Sequence, residues 1–185
     1  MSGYSAFNHR LMRLVRFDPQ EPGRRVNDHL LLSRGVTWSF LVPSDDGDVV
    51  INTGMPSEGP RHRERYEQLL GRPLAVRKIV MTQHHPDHMG GWPSFKDPGA
   101  EIIAQANFPL LWRERRELAD FFRPRERRVL PSVTRPDQHK DWHKAAEEIT
   151  ELTTFTERHD FTVGGRRFEL HSAPSGEAID GLILW

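Results

Sequence analysis

Apolar and polar positions alternate in short blocks from residue 29 onward. "HLLLSRG" (29–35) and "VTWSFLVP" (36–43) each read as a strand, joined at Ser33–Gly35. "SDDGD" (44–48) is a turn by composition, and "VVINTG" (49–54) is a third strand, so the domain opens with a β-meander. The period then changes. In "GPRHRERYEQLLG", Tyr66, Leu69 and Leu70 fall at helical spacing, and Gly71 is placed to end the helix. "AVRKIVMT" (75–82) and "AEIIAQ" (100–105) read as strands. "NFPLLWRERRELADFF" (107–122) predicts an amphipathic helix with Leu110, Leu111, Leu118, Phe121 and Phe122 toward one side, stopped by Pro124. Residues 123–150 are charged and interrupted by proline, with "DWHKAAEEI" (141–149) as a further helical segment. "DFTVGGRRFELHSAP" predicts a hairpin turning at Gly164–Gly165, and "AIDGLILW" (178–185) a last strand. This order of elements is that of an α/β domain with mixed sheet pairing.

The first 25 residues, broken by Pro19, Pro22 and Gly23, read as an arm or a loosely held edge preceding a domain over 26–185. The chain of 185 residues is one domain by length. Lys plus Arg and Asp plus Glu are 26 each, so no global charge draws it to nucleic acid or an anionic membrane. Residues 113–128 hold seven arginines against four acids, an excess that i,i+4 pairing on a helix face accounts for, which argues against nucleic acid as the partner. No stretch is long and apolar enough for a signal peptide or a membrane span, and a cytoplasmic location is expected. The apolar fraction is 36% and mean hydropathy is −0.65, which implies either a highly solvated surface or a missing apolar partner surface. "GLILW" ends the chain on an apolar strand with no turn after it, and the expectation is that a C-terminal half or a second copy completes the fold.

With no cysteine, disulfides and thiolate ligands are excluded. Any metal site must be built from imidazole and carboxylate, a set that suits zinc, iron or manganese. "IVMTQHHPDHMGGWPS" (79–94) offers such a set directly behind an apolar strand. Side chains leaving a strand end alternate, so His85 and Asp87 are expected to point one way, with His88 on the neighbouring side. Gly90 and Gly91 let backbone pass close to the cluster without a Cβ clash.

"TQHHPDHMGG" resembles the T-H-x-H-x-D-H-x-G-G signature of the metallo-β-lactamase superfamily, with Gln83 at the first histidine position. "GDVVINTGMP" is similar to the family's strand ending in D-T-G, with Asn52 replacing the aspartate. "HSAPSGEAID" is similar to its H-x-P-G-H-T segment, with Glu177 at a metal-binding histidine position. The Gln and Glu variants resemble the alkyl-sulfatase-like branch. The matches run from about residue 36 to 185 and cover the first half of an αββα sandwich, whereas the family's second half supplies a bridging carboxylate and a final histidine.

The resemblance implies one or two divalent ions, zinc foremost, with iron or manganese as alternatives. It implies His85 as a ligand of the first ion, Asp87 and His88 as ligands of the second, and Asp87 as the group that orients a metal-held nucleophilic water. Gln83 is left open between a weak ligand and a hydrogen-bond donor, and Glu177 between a ligand and a solvated carboxylate. Asn52, Thr82 and His171 are expected to support the ligands by hydrogen bonds or packing, and His84 to point away. The implied activity is hydrolysis of a small ester-type or sulfate-ester substrate. The alternative is a non-catalytic metal-binding chain that associates through an exposed sheet edge.

Overall fold

The computed structural model describes residues 20–122, 124, 149 and 151–185. The helix expected at 141–149 falls, except for Ile149, outside the described residues. In chain order the elements are β1 (Arg24–Asn27), β2 (Leu30–Ser33), β3 (Ser39–Val42), β4 (Asp48–Ile51), α1 (Gly59–Leu70), β5 (Val76–Val80), α2 (Pro86–Met89), β6 (Glu101–Gln105), α3 (Phe108–Glu117), β7 (Thr153–Phe155), β8 (Arg158–Val163), β9 (Arg166–Ser172) and β10 (Leu182–Leu184). A 3-10 turn occupies Trp92–Phe95.

β1 to β7 form one sheet in sequence order, antiparallel through β4 and parallel from β4 to β7. β8, β9 and β10 form a second, antiparallel sheet with β9 in the middle. Every residue of β4 is buried, because both faces of this strand are covered. Leu31, Leu41, Val50, Ile79 and Ile102 pack with Tyr66 of α1, Trp92 and Phe108. Val49, Ile51, Val80 and Ile103 point the other way, onto Val163, Phe168, Leu170 and Leu182 of the second sheet. The result is a helical layer, a mixed sheet and a second sheet in succession.

Arg24 and Arg25, read as part of an arm or a loosely held edge, begin edge strand β1. Several other expectations are corrected. The short strand β7, which carries no period long enough to read, extends the parallel part of the sheet. "AIDGLILW" starts as a turn, in which Gly181 N–H donates to Ala178 O at 3.3 Å, and only Leu182–Leu184 are strand. α3 ends at Glu117, capped by Leu118, while Pro124 is itself helical. Its buried face is Phe108 and Trp112; Leu110, Leu118 and Phe121 are exposed, Phe121 by 70%. At 3.6 residues per turn Leu110 lies roughly opposite the Phe108–Trp112 pair, so these apolar residues are not one stripe.

Candidate functional site

Two turns meet at the C-terminal ends of β4 and β5. After β4, Asn52 takes a left-handed φ of 55° and Gly54 one of 74°, which folds the chain back over the strand end. The loop after β5 docks on that turn through backbone bonds: Thr53 N–H donates to His88 O at 2.7 Å and Gly91 N–H to Gly54 O at 2.9 Å. Gly91 is needed for contact with this turn and α1. A Cβ there would lie 2.2 Å from Thr53 O and 2.7 Å from Gly59 Cα. A Cβ on Gly90 would stand 2.5 Å from Pro56 Cδ. Both glycines thus serve the backing of the loop, where the sequence suggested close approach to the histidines.

The alternation expected after β5 gives way to the single helical turn α2, with His85 as its extended N-cap. This turn brings Asp87 Oδ2 to 3.7 Å from His88 Nε2. His85 Nδ1 faces another element, 3.9 Å from Glu177 Oε1 in the turn between β9 and β10.

His88 is oriented by a relay. The Thr82 hydroxyl donates to Asn52 Oδ1 at 2.7 Å, so its oxygen accepts from His88 Nδ1–H at 3.0 Å. Asn52 Oδ1 also accepts from Thr82 N–H at 3.3 Å. With its proton on Nδ1, His88 turns the Nε2 lone pair into the site, where the Gln83 amide donates to it at 2.7 Å. Burial lowers the pKa of His88, and burial followed by the neighbouring His84 and Arg115 charges lowers that of His85. Both rings are therefore held in the neutral form that ligation requires. Asn52 does here what a carboxylate would do as an acceptor, without the charge.

Three contributors were not singled out from the sequence. Thr37, in the β2–β3 loop, donates its hydroxyl to Asp87 Oδ2 at 2.5 Å; nothing in its sequence neighbourhood marks it. Glu58, almost fully buried at the start of α1, holds that loop by accepting from Val36 N–H at 3.0 Å and from Met55 N–H at 3.0 Å. Burial raises its pKa, against these two backbone bonds. Asp180 is fully buried and accepts from His84 Nδ1 at 3.0 Å. An acid between Ile179 and Gly181 in an apolar run was the available signal. His84, expected to point away, is packed inward against this carboxylate. His171 lies at the surface, 3.4 Å from Glu169 within an ion-pair cluster that includes Arg158 and Arg167.

Imidazole nitrogens and carboxylates that approach within 3.7 and 3.9 Å in pairs are a donor set of the right chemistry for a divalent ion. The fixed tautomer of His88 agrees with this, since rotating the Gln83 amide would present Oε1 beside Nε2. Among the described residues, no three His, Asp or Glu side chains converge as a metal-holding group. No helix among them is long and apolar enough to cross a membrane.

Comparison with known proteins places these features. No curated protein matches the sequence. Among solved structures, the native FEZ-1 metallo-beta-lactamase from Legionella gormanii is 15% identical with a TM-score of 0.62, covering 89% of this chain and 57% of its own. GOB-18 from Elizabethkingia meningoseptica, also a metallo-beta-lactamase, is 20% identical with a TM-score of 0.64, over 89% of this chain and 55% of its own. The stereoselective inverting sec-alkylsulfatase Pisa1 from Pseudomonas sp. is 16% identical with a TM-score of 0.69, over 89% of this chain and 29% of its own. This chain thus spans between about a third and three fifths of these relatives. The model of the Metallo-beta-lactamase superfamily matches residues 32–185. Strand, loop, relay and second sheet all lie within that match, and the chain belongs to the metallo-beta-lactamase superfamily.

Proposed function

We propose that this chain carries the N-terminal metal-binding part of a metal-dependent hydrolase acting on small ester-type or sulfate-ester substrates. The observation that carries the reading is the Asn52–Thr82–His88 relay, which presents a neutral Nε2 beside the Asp87 carboxylate. His88 and Asp87 would hold one divalent ion, zinc foremost, and His85 with Glu177 would hold a second; Gln83 would serve either through Oε1. When bound, such an ion would supply an acidified water and a stabilising positive charge. Asp87, held through Oδ2 by Thr37, would be placed to orient that water through Oδ1. The neutral rings of His85 and His88 keep the donor set assembled at neutral pH.

The test is turnover by the zinc-, iron- or manganese-reconstituted chain on nitrophenyl esters and secondary alkyl sulfates, beside Asp87→Asn. Turnover of either class that falls by two orders of magnitude or more in the variant supports the reading. Turnover that survives the substitution contradicts it.

The second reading, a non-catalytic metal-binding chain that pairs through its sheet edge, is favoured by one feature. Among the described residues β10 has a strand neighbour on one side only, and its Ile183 and the following Trp185 are exposed. A doubled mass in light scattering that Ile183→Lys abolishes supports this reading; a monomer at all concentrations removes it.

A further inference from the structure

We propose that His84 and Asp180 form a buried clamp that sets the spacing between His85 and Glu177, which makes Asp180 a positioning residue for the metal site. The proposal rests on the metal reading above. His85 and Glu177 belong to different layers: one follows β5 of the large sheet, the other lies between β9 and β10 of the small sheet. Their 3.9 Å separation is not secured by Glu177 itself, which is largely exposed.

Three bonds cross between the layers beside it, one of them at the surface, from the Asn107 amide to Ile179 O at 3.5 Å. Leu182 N–H donates to Thr82 O at 3.1 Å, and His84 Nδ1–H donates to Asp180 Oδ1 at 3.0 Å. The turn carrying Glu177 is braced internally, with Ser175 N–H and Gly181 N–H both donating to Ala178 O, at 3.0 and 3.3 Å. Asp180 therefore moves with Glu177. On the other side the His84 ring packs against the His85 ring, with centroids 4.5 Å apart and planes at 52°. Asp180 thus positions both members of the pair, one through its turn and one through His84.

The second carboxylate oxygen, Asp180 Oδ2, is buried without a hydrogen-bond partner among the described residues. A half-satisfied carboxylate in the interior costs folding free energy, so stability alone gives no reason for an acid at this position. Holding His84 by a strong acceptor gives one.

The experiment compares the wild-type chain with Asp180→Ala, Asp180→Asn, His84→Ala and His84→Asn. Zinc affinity is read by competition with a chromophoric chelator. Long-range proton–nitrogen spectra of the histidine rings are recorded on the metal-free chain. Thermal midpoints in chelator report the fold. The clamp predicts about tenfold weaker zinc binding in both alanine variants. It also predicts displaced His85 ring resonances in the absence of metal, with those of His62 unmoved. Asparagine at position 180 retains the hydrogen bond and restores affinity to within about threefold, whereas His84→Asn keeps the bond but lacks the ring that packs on His85 and recovers less. Wild-type zinc affinity and unmoved His85 resonances in a folded Asp180→Ala chain overturn the clamp. If that variant does not fold, the same readouts on His84→Ala decide it. If the wild type binds no metal, the metal reading fails instead, and the His85 resonances still decide the clamp.

Discussion

At the scale of single residues, one proton decides what the loop offers. Thr82 spends its own hydrogen on Asn52, so His88 gives its Nδ1 proton to Thr82 and keeps Nε2 bare. Thr82→Val removes that acceptor. Zinc affinity should fall between about 10- and 100-fold, while the loss of one partly buried hydrogen bond costs about 1 kcal/mol of stability. Competition titration and denaturant unfolding check the two numbers separately. A second residue prediction concerns His62, which is fully buried on α1 with Nδ1 2.6 Å from Ser33 Oγ. Burial, then the charges of Arg65 and Arg61, push its pKa down to about 3. Below pH 6.5 the unfolded chain takes up a proton that the folded ring refuses until about pH 3. Stability is therefore whole above that window and is lost as pH falls through it, by on the order of 5 kcal/mol. Against the typical 5–15 kcal/mol total, a term of this size should be visible in acid unfolding. Unfolding free energies between pH 7 and 4 should fall steeply in the wild type and less steeply in His62→Gln.

At the scale of elements, α3 separates what periodicity shows from what it leaves open. Its helical character was legible in "NFPLLWRERRELADFF", but its buried face was not, because apolar residues occur around most of its circumference. Phe108 and Trp112 are held by the sheet, whereas Phe121 faces solvent. Trp112→Ala should cost about 3–5 kcal/mol, and Phe121→Asp should change stability by less than about 0.5 kcal/mol. Thermal and denaturant unfolding of the two variants measure this contrast; equal losses would mean that the face is wrongly assigned. Gly91 makes the same point for a loop. The sequence showed that a residue without Cβ is required there, but not that Thr53 and Gly59 require it. Gly91→Ala should cost about 1–3 kcal/mol and weaken zinc binding as the loop shifts from its seat. The β2–β3 loop was silent for a plainer reason. Thr37 acts across fifty positions of sequence on Asp87, and no local pattern encodes a contact made by chain folding.

At the scale of the whole molecule, the layers explain why the site forms where it does. β4 and β5 run parallel in the middle of the large sheet, so their ends emerge together, and the second sheet delivers Glu177 and Asp180 to the same place. The α/β class, the meander, the hairpin at Gly164–Gly165 and the loop behind β5 were all readable from period and turn residues. The pairing of His85 with Glu177 and of His84 with Asp180 was not, since it depends on how one sheet sits on the other. The chain spans between about a third and three fifths of the relatives it resembles, so its metal content is the property that most directly tests its own residues. Elemental mass spectrometry on the chain purified without chelator, beside His88→Ala, provides that test. One or two equivalents of zinc, iron or manganese, reduced by at least one in the variant, is the predicted result. A wild-type chain that holds no metal even after reconstitution, or a His88→Ala chain that holds as much as wild type, contradicts the account.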